Sequence, residues 1–334
     1  MAARRFAERS ATVAAVGVYT RSMLLPASVL ELSAGLLGLF FGSFLNVCIA
    51  RLPRHESIVS PRSRCPHCGH AIRWYDNLPV LSWLLLRARC RDCRELIATQ
   101  YPLVELATGL WFGLGAGLTA ARLSSLPAGA GYQYWGDAIV ATLSFTALGF
   151  FLIGLMVMDW QTGLLPNAFT FSGLATAFFL IFARCIFLGT TEGQIILTGH
   201  HLRLSSPGSF ADQGNVFLTG PEAVILGRLA AVCGVALLLL AVRGAYKRIR
   251  HRDGMGLGDV KMLAMIAAFV GFWPAILCLF LGILTASFYA VFLILRRGAD
   301  ATTRLPFGTF LGLGGLLTAI FGDRILADYV KLFQ

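Results

Sequence analysis

FFLIGLMVMDWQTGLLPN (150–167) is an apolar run that closes on Asp159 and then meets Gly163 and Pro166. With the residues before it, the run forms a stretch near 137–158, long enough as a helix to cross the roughly 30 Å of hydrocarbon in a bilayer. Comparable stretches lie near 28–50, 101–120, 164–188, 222–242, 259–273, 274–295 and 306–321, and the sixth and eighth in chain order are short. The composition agrees: 57% of the 334 residues are hydrophobic and 13% charged, against about 25% charged in a soluble domain. The reading is an all-α polytopic membrane protein of about eight transmembrane helices. Trp273-Pro274 marks the boundary between the sixth and seventh spans, because proline lacks a backbone donor. Gly312, Gly314 and Gly315 suit close helix contact in lipid.

A net charge of +11 raises nucleic acid as a partner, but the placement of the charge argues for a bilayer. Segment 51–100 carries nine arginines, 243–261 six Lys/Arg and 296–304 three arginines. The alternate loops 121–136, 184–221 and 322–334 together carry five. Positive loops stay in the cytoplasm, so the first three segments are expected there. An even span count then places both termini outside. Residues 1–27, with Arg4, Arg5, Arg9 and Arg21, fit that scheme poorly, and the expectation is an N-terminal extension with Met23 as the true start. The remaining divisions are a first span at 28–50, a module at 51–100, a membrane core at 101–321 with an enlarged outer loop at 190–220, and a tail at 322–334.

Eight cysteines divide into two groups. Cys48, Cys185, Cys233 and Cys278 stand singly in apolar runs, where cysteine behaves as a small hydrophobe. Cys65 and Cys68 in CPHC, and Cys90 and Cys93 in CRDC, form two C-x-x-C knuckles. Four thiolates so spaced can surround a zinc ion tetrahedrally. Two disulfides or a redox pair are the competing readings. A cytoplasmic loop keeps thiols reduced, which disfavours the first, and a redox pair needs only one knuckle. Four cysteine ligands leave no open position for water, so the zinc is expected to be structural. It would supply folding energy to a module too small for a large core.

Ionisable residues at membrane helices are costly, which makes them functional candidates. Asp159 follows FFLIGLMVM at the cytoplasmic end of the third span, and Asp259 opens the sixth in GMGLGDVKM. The charge-derived topology places both at one membrane level. Each has a plainer explanation. Asp259 could cap a helix N-terminus, and Asp159 could mark where a helix leaves lipid. Gly136-Asp137 and Gly322-Asp323 show that a bare Gly-Asp pair means little, but neither has the Gly254, Gly256, Gly258 series in front of it. Two carboxylates about 3 Å apart would share one proton, one activating water and the other protonating a scissile carbonyl. The chain contains neither an H-E-x-x-H zinc motif nor a G-x-S-x-G elbow.

Six blocks in order carry a resemblance: GSFLNVCIARLPR (42–54), SRCPHCGHAIRWYDNLPVLSWLLLRARCRDCR (63–94), YPLVELATGL (101–110), MDWQTGLLPN (158–167), GMGLGDVKMLA (254–264) and LPFGTFLGLGG (305–315). Together they closely resemble the bacterial type IV prepilin peptidases, relatives of the G-x-G-D intramembrane aspartyl proteases. The resemblance implies that Asp159 and Asp259 are the catalytic pair and that Cys65, Cys68, Cys90 and Cys93 bind the metal. It implies prepilin or pseudopilin substrates, cut after the terminal glycine of a basic leader at the cytoplasmic face of the bacterial inner membrane. By resemblance alone, it also implies N-methylation of the new terminus from S-adenosylmethionine. Asn167 stands where the family often has an acidic residue. A membrane transporter or secretion component using the two aspartates for ions is the alternative, but it leaves the G-x-G-D context and the cysteines unexplained.

Overall fold

The computed structural model describes residues 26–124, 132–192, 221–251, 256–297 and 305–332. The extension at 1–25 with Met23, the loop at 193–220 and Gly254 lie outside these. Among the described residues the chain is helical. Eight long helices run α1 (Ala27–Arg51), α3 (Gln100–Ser124), α4 (Tyr132–Thr162), α5 (Asn167–Glu192), α6 (Pro221–Arg250), α7 (Leu257–Val270), α8 (Phe272–Arg297) and α9 (Phe307–Lys331). A five-residue helix α2 (Leu81–Leu85) and two 3-10 turns belong to the segment between α1 and α3. That segment also contains the four cysteines of the C-x-x-C pairs.

Seven of the eight long helices are long and apolar enough to cross a membrane. The eighth, α7, has 14 residues and a length of about 21 Å, short of a full bilayer. Beyond Asp259 and Lys261 at its start it is apolar all round, and Met262, Leu263, Met265, Ile266, Ala267 and Ala268 are fully buried. Such a helix belongs inside a bundle, and α7 packs against α4, α5, α6, α8 and α9. Its ends are protected by neighbouring helices, which is how a short segment is tolerated at membrane depth. The span expected to end near 321 continues as helix to Lys331.

The break between α7 and α8 falls at Gly271, two residues ahead of the Trp273-Pro274 pair that the sequence points to. Gly271 takes φ 94° and donates its N–H to Ala267 O at 2.8 Å. Only glycine adopts such a backbone without strain. Pro274 then sits in the first turn of α8, where its missing N–H costs nothing.

Glycines set the closest helix pairs. A Cβ on Gly38 would lie 2.7 Å from Thr108 O, and one on Gly42 would lie 2.6 Å from Glu105 Cα. Thus α1 rests directly on the backbone of α3. On α9, a Cβ on Gly314 would lie 2.5 Å from Cys278 O of α8, so the glycine run seats that pair in the way small residues do in lipid.

Side-chain links fix which helix ends share one end of the bundle. Gln100 at the start of α3 accepts a hydrogen bond from Gln161 at the end of α4. Lys261 of α7 donates to Asn167 Oδ1 at the start of α5, at 2.7 Å. Thr309 at the start of α9 donates to Asp159 near the end of α4. The cysteine segment, Asp159 and Asp259 therefore share the same end.

Candidate active site and metal centre

Asp159 lies on the last turn of α4 and Asp259 on the first turn of α7, 6% and 9% exposed. Burial of two carboxylates is expensive unless each is hydrogen-bonded, and the partners are specific. Asp159 Oδ2 accepts the backbone N–H of Thr309 at 2.8 Å and the Thr309 hydroxyl at 3.3 Å. That hydroxyl also lies 3.0 Å from Met156 O, the other acceptor for its single hydrogen. Asp159 thus sits on the N-terminus of α9, where backbone donors face outward and the helix dipole favours an anion.

Asp259 is the third residue of α7, with Gly256 at the N-cap, and a Cβ on Gly256 would lie 3.5 Å from Asp259 Oδ2. The N-cap position that the sequence offers to Asp259 is held by Gly256, because the helix begins two residues before Asp259. That position does not exclude a second role, because the start of α7 and the end of α4 lie at the same end of the bundle.

The packing around the pair uses residues to which the sequence gave no role. A Cβ on Gly308 would lie 3.0 Å from both Cγ and Oδ2 of Asp159 and 3.1 Å from Leu165 Cδ1. A Cβ on Gly258 would lie 3.0 Å from the same Leu165 atom. Leu165, from the turn between α4 and α5, therefore wedges between the glycine that precedes Asp259 and the glycine that backs Asp159. Gly308, Thr309 and Leu165 were missed as site residues. Their blocks, LPFGTF and TGLLPN, were visible, but nothing in a linear pattern tells a packing glycine from one pressed against a carboxylate.

The four cysteines of the second group come together. Their sulfurs lie within 4.8 Å of one another, with Cys65 Sγ 3.8 Å from Cys93 Sγ. A disulfide needs about 2.05 Å, and all four are free thiols. A tetrahedral ion with metal–sulfur bonds of about 2.3 Å holds its sulfurs about 3.8 Å apart. The cluster can hold a metal ion of that geometry.

The two knuckles repeat one backbone design. Cys65 N–H donates to His70 O at 2.9 Å and Gly69 N–H to Cys65 O at 2.9 Å. Cys90 N–H donates to Glu95 O at 2.8 Å and Arg94 N–H to Cys90 O at 3.1 Å. An isolated bridge closes each turn, Arg64 with Ala71 and Arg89 with Leu96. The residue after each second cysteine has positive φ, 73° at Gly69 and 61° at Arg94. From within the second knuckle, Arg91 forks onto Asp76 in the stretch between the knuckles, with bonds of 2.8 and 2.6 Å. The Arg91 hydrogen bonds hold the Asp76 carboxyl below its ordinary range. His67 and His70 are not part of the sulfur cluster.

Comparison with known proteins follows the same division of the chain. Residues 36–117 match the family model described as "Bacterial Peptidase A24 N-terminal domain", and residues 208–291 match the "Type IV leader peptidase family". The cysteines fall in the first range and Asp259 in the second, with Asp159 between them. The chain is 30% identical to a prepilin leader peptidase/N-methyltransferase of Aeromonas hydrophila, over 92% of this chain and 99% of that one. It is 31% identical to proteins of the same name from Pseudomonas putida, over 90% and 93%, and Burkholderia pseudomallei strain 1026b, over 92% and 91%. No solved structure matches the chain.

Proposed function

Because the chain belongs to the prepilin leader peptidase/N-methyltransferase family, we propose that it cuts the leader from prepilins or pseudopilins with Asp159 and Asp259 as an aspartyl pair. The observation that carries this reading is the arrangement of the two aspartates. Two carboxylates a hundred positions apart in sequence are buried at one end of the bundle, and the glycines beside them, Gly258 and Gly308, meet the same Leu165 side chain. Like-charged carboxylates brought to about 3 Å would share a proton and titrate as a unit. The ionised member would take a proton from water as the oxygen attacks the scissile carbonyl carbon. The protonated member would give its proton to the carbonyl oxygen. The Thr309 donors on Asp159 Oδ2 leave Oδ1 as the oxygen for water.

Arginine-rich loops on the module end support a cytoplasmic site in the bacterial inner membrane. A substrate with a basic leader in the cytoplasm and an apolar helix in the bilayer would present its junction at this level. Cys65, Cys68, Cys90 and Cys93 would hold a zinc ion, whose contribution is folding energy for the module. The names of the relatives support a second activity, N-methylation of the new terminus from S-adenosylmethionine.

The deciding experiment is cleavage of a purified prepilin by the detergent-solubilised protein, followed by mass spectrometry of the product. Asp159→Asn and Asp259→Asn are expected to abolish cleavage while the protein remains folded and metal-loaded. Full cleavage by either variant overturns the aspartyl assignment. A product lacking the added methyl mass in the presence of S-adenosylmethionine removes the second activity and leaves the first standing.

A further inference from the structure

Away from the aspartate pair, the contact between α1 and α3 contains a second buried carboxylate. Glu105, 8% exposed, lies on α3 one turn into the bundle, and Asn46, 5% exposed, lies on the neighbouring α1. The close approach of the two helices at Gly42, one turn before Asn46, presses α1 onto Glu105 Cα. Asn46 Nδ2 donates to Tyr101 O at 3.0 Å, one turn below Glu105 on the same helix. Asn46 Oδ1 is buried with no hydrogen-bond partner.

A strap of the cysteine module closes this spot. Val80 N–H donates to Glu105 Oε2 at 2.7 Å. The strap is braced by Leu78 N–H to Ser82 Oγ at 3.1 Å and Ser82 Oγ to Tyr75 O at 2.9 Å.

The inventory is short of donors. An ionised carboxylate has about four acceptor sites, and Val80 fills one. Asn46 Oδ1 adds an empty one. Among the described residues no cationic side chain pairs with Glu105. Arg51, further along α1, spends its guanidinium on the carbonyls of Ser57 (2.9 Å) and Pro61 (2.7 Å). A buried carboxylate without a counter-ion is costly, and so is a buried amide oxygen without a donor. One small cation with several N–H donors would relieve both.

We infer that Glu105 and Asn46 form a binding site for an α-ammonium group, which donates to the carboxylate of the first and to Oδ1 of the second. The inference rests on the methyl-transfer reading for its two candidate sources. One is the amino-acid end of S-adenosylmethionine and the other is the newly exposed terminus of a cleaved substrate. Both present the same group, –NH3+ on a tetrahedral carbon. The residue types fit that group better than they fit a metal, since one carboxylate and one amide oxygen are too few ligands for a hard cation.

The test is binding without turnover, by calorimetry on the full-length, metal-loaded protein in detergent. Four probes are needed: S-adenosylmethionine, its analogue lacking the α-amine, a synthetic apolar peptide with a free α-amino terminus, and the same peptide N-acetylated. The wild type is expected to bind at least one amine-bearing probe about tenfold or more tighter than its blocked counterpart, the scale of a lost charge-assisted contact. Glu105→Gln keeps an oxygen for Val80 but loses the charge, and is expected to erase that preference. Asn46→Ala is expected to weaken the same probe without touching the carboxylate, and it decides the matter if Glu105→Gln does not fold. A preference for S-adenosylmethionine identifies the methyl donor as the occupant, and a preference for the peptide identifies the methyl acceptor. If neither amine-bearing probe is preferred by the wild type, or if both variants keep the preference, the site is overturned. Absence of methyl transfer in a protein that still shows the preference removes the functional reading and leaves the site.

Discussion

Each knuckle of the cysteine module closes on itself, Arg64 to Ala71 and Arg89 to Leu96, with hydrogen bonds between near neighbours in the chain. The aspartate site is assembled instead from four separate places: the end of α4, the Leu165 turn, the start of α7 and the start of α9. Its shortest hydrogen bond joins residues 150 positions apart. A metal site built from local turns needs only its own segment and an ion. A carboxylate site built from helix ends needs the whole bundle in register. The two regions should therefore fail differently, and substitutions can test whether they do.

The largest separation is expected at the carboxylates. Asp159→Asn or Asp259→Asn removes the acid–base pair, and cleavage should fall by about a thousandfold or more, within the range that general acid–base groups supply. The same variants should keep their metal. A single variant that loses both cleavage and metal would break the claim that the regions are independently built. Gly308→Ala comes next. Its Cβ would press within 3.0 Å of the Asp159 carboxylate and also meet Leu165. A carboxylate displaced by a few tenths of an ångström to one ångström should cost about tenfold to a hundredfold in cleavage rate. Thermal melting should move little, since α9 is otherwise intact. Cleavage at the wild-type rate in Gly308→Ala would show that the Asp159 position is not tightly set.

The same contrast explains what the sequence made legible. C-x-x-C repeated within one charged loop displays its ligands in the linear order, so Cys65, Cys68, Cys90 and Cys93 could be read from spacing alone. The helices were readable because hydropathy is a local property. The short α7 was recognised, but its cause, burial on all sides, depends on five neighbouring helices. Asp159 and Asp259 could be placed at one level only through charge asymmetry between loops. Their actual supports, Thr309 N–H, Gly308 and Leu165, lie in blocks with no chemical signature. A backbone amide is present at every residue but proline, so a sequence cannot show which one points at a carboxylate. Arg94 makes the point from the other side: its positive φ, needed to complete the second knuckle, is carried by a residue type that gives no hint of it.

Removal of metal ligands probes the other half of the comparison. Cys65→Ser together with Cys90→Ser takes one thiolate from each knuckle, and metal content should fall from about one ion per chain to none. Without the ion, the 55–98 segment has little core of its own, and trypsin should cut at its arginines at a much higher rate than in the wild type. Cleavage of prepilin should fall less than in the aspartate variants, because among the described residues no side-chain hydrogen bond joins 55–98 to α4, and the bond from Gln161 reaches only Gln100 at the start of α3. A loss of cleavage as deep as that of Asp159→Asn would mean that the metal centre positions the carboxylates, and the two regions would have to be treated as one.

The smallest effect is expected from the ion pair that spans the knuckles. Asp76→Asn leaves the Arg91 fork with a neutral partner. Arg91 is half exposed, so solvent screening limits the loss, and the trypsin half-life of the metal-loaded module should shorten by at most about twofold at neutral pH. The pH dependence fixes the sign. Arg91 holds the folded-state Asp76 carboxyl below its ordinary range. The pair's contribution is therefore fully present above the ordinary aspartate pKa of about 3.9 and is lost as pH falls through the lower folded-state value. Metal ligands also take up protons in acid, so the informative quantity is the difference between wild type and Asp76→Asn at matched metal occupancy. That difference should stay constant from neutral pH down to about pH 5 and shrink only below it. A difference that grows toward acid would assign Asp76 a role in protecting the thiolates, making it a support of the metal rather than a brace between turns.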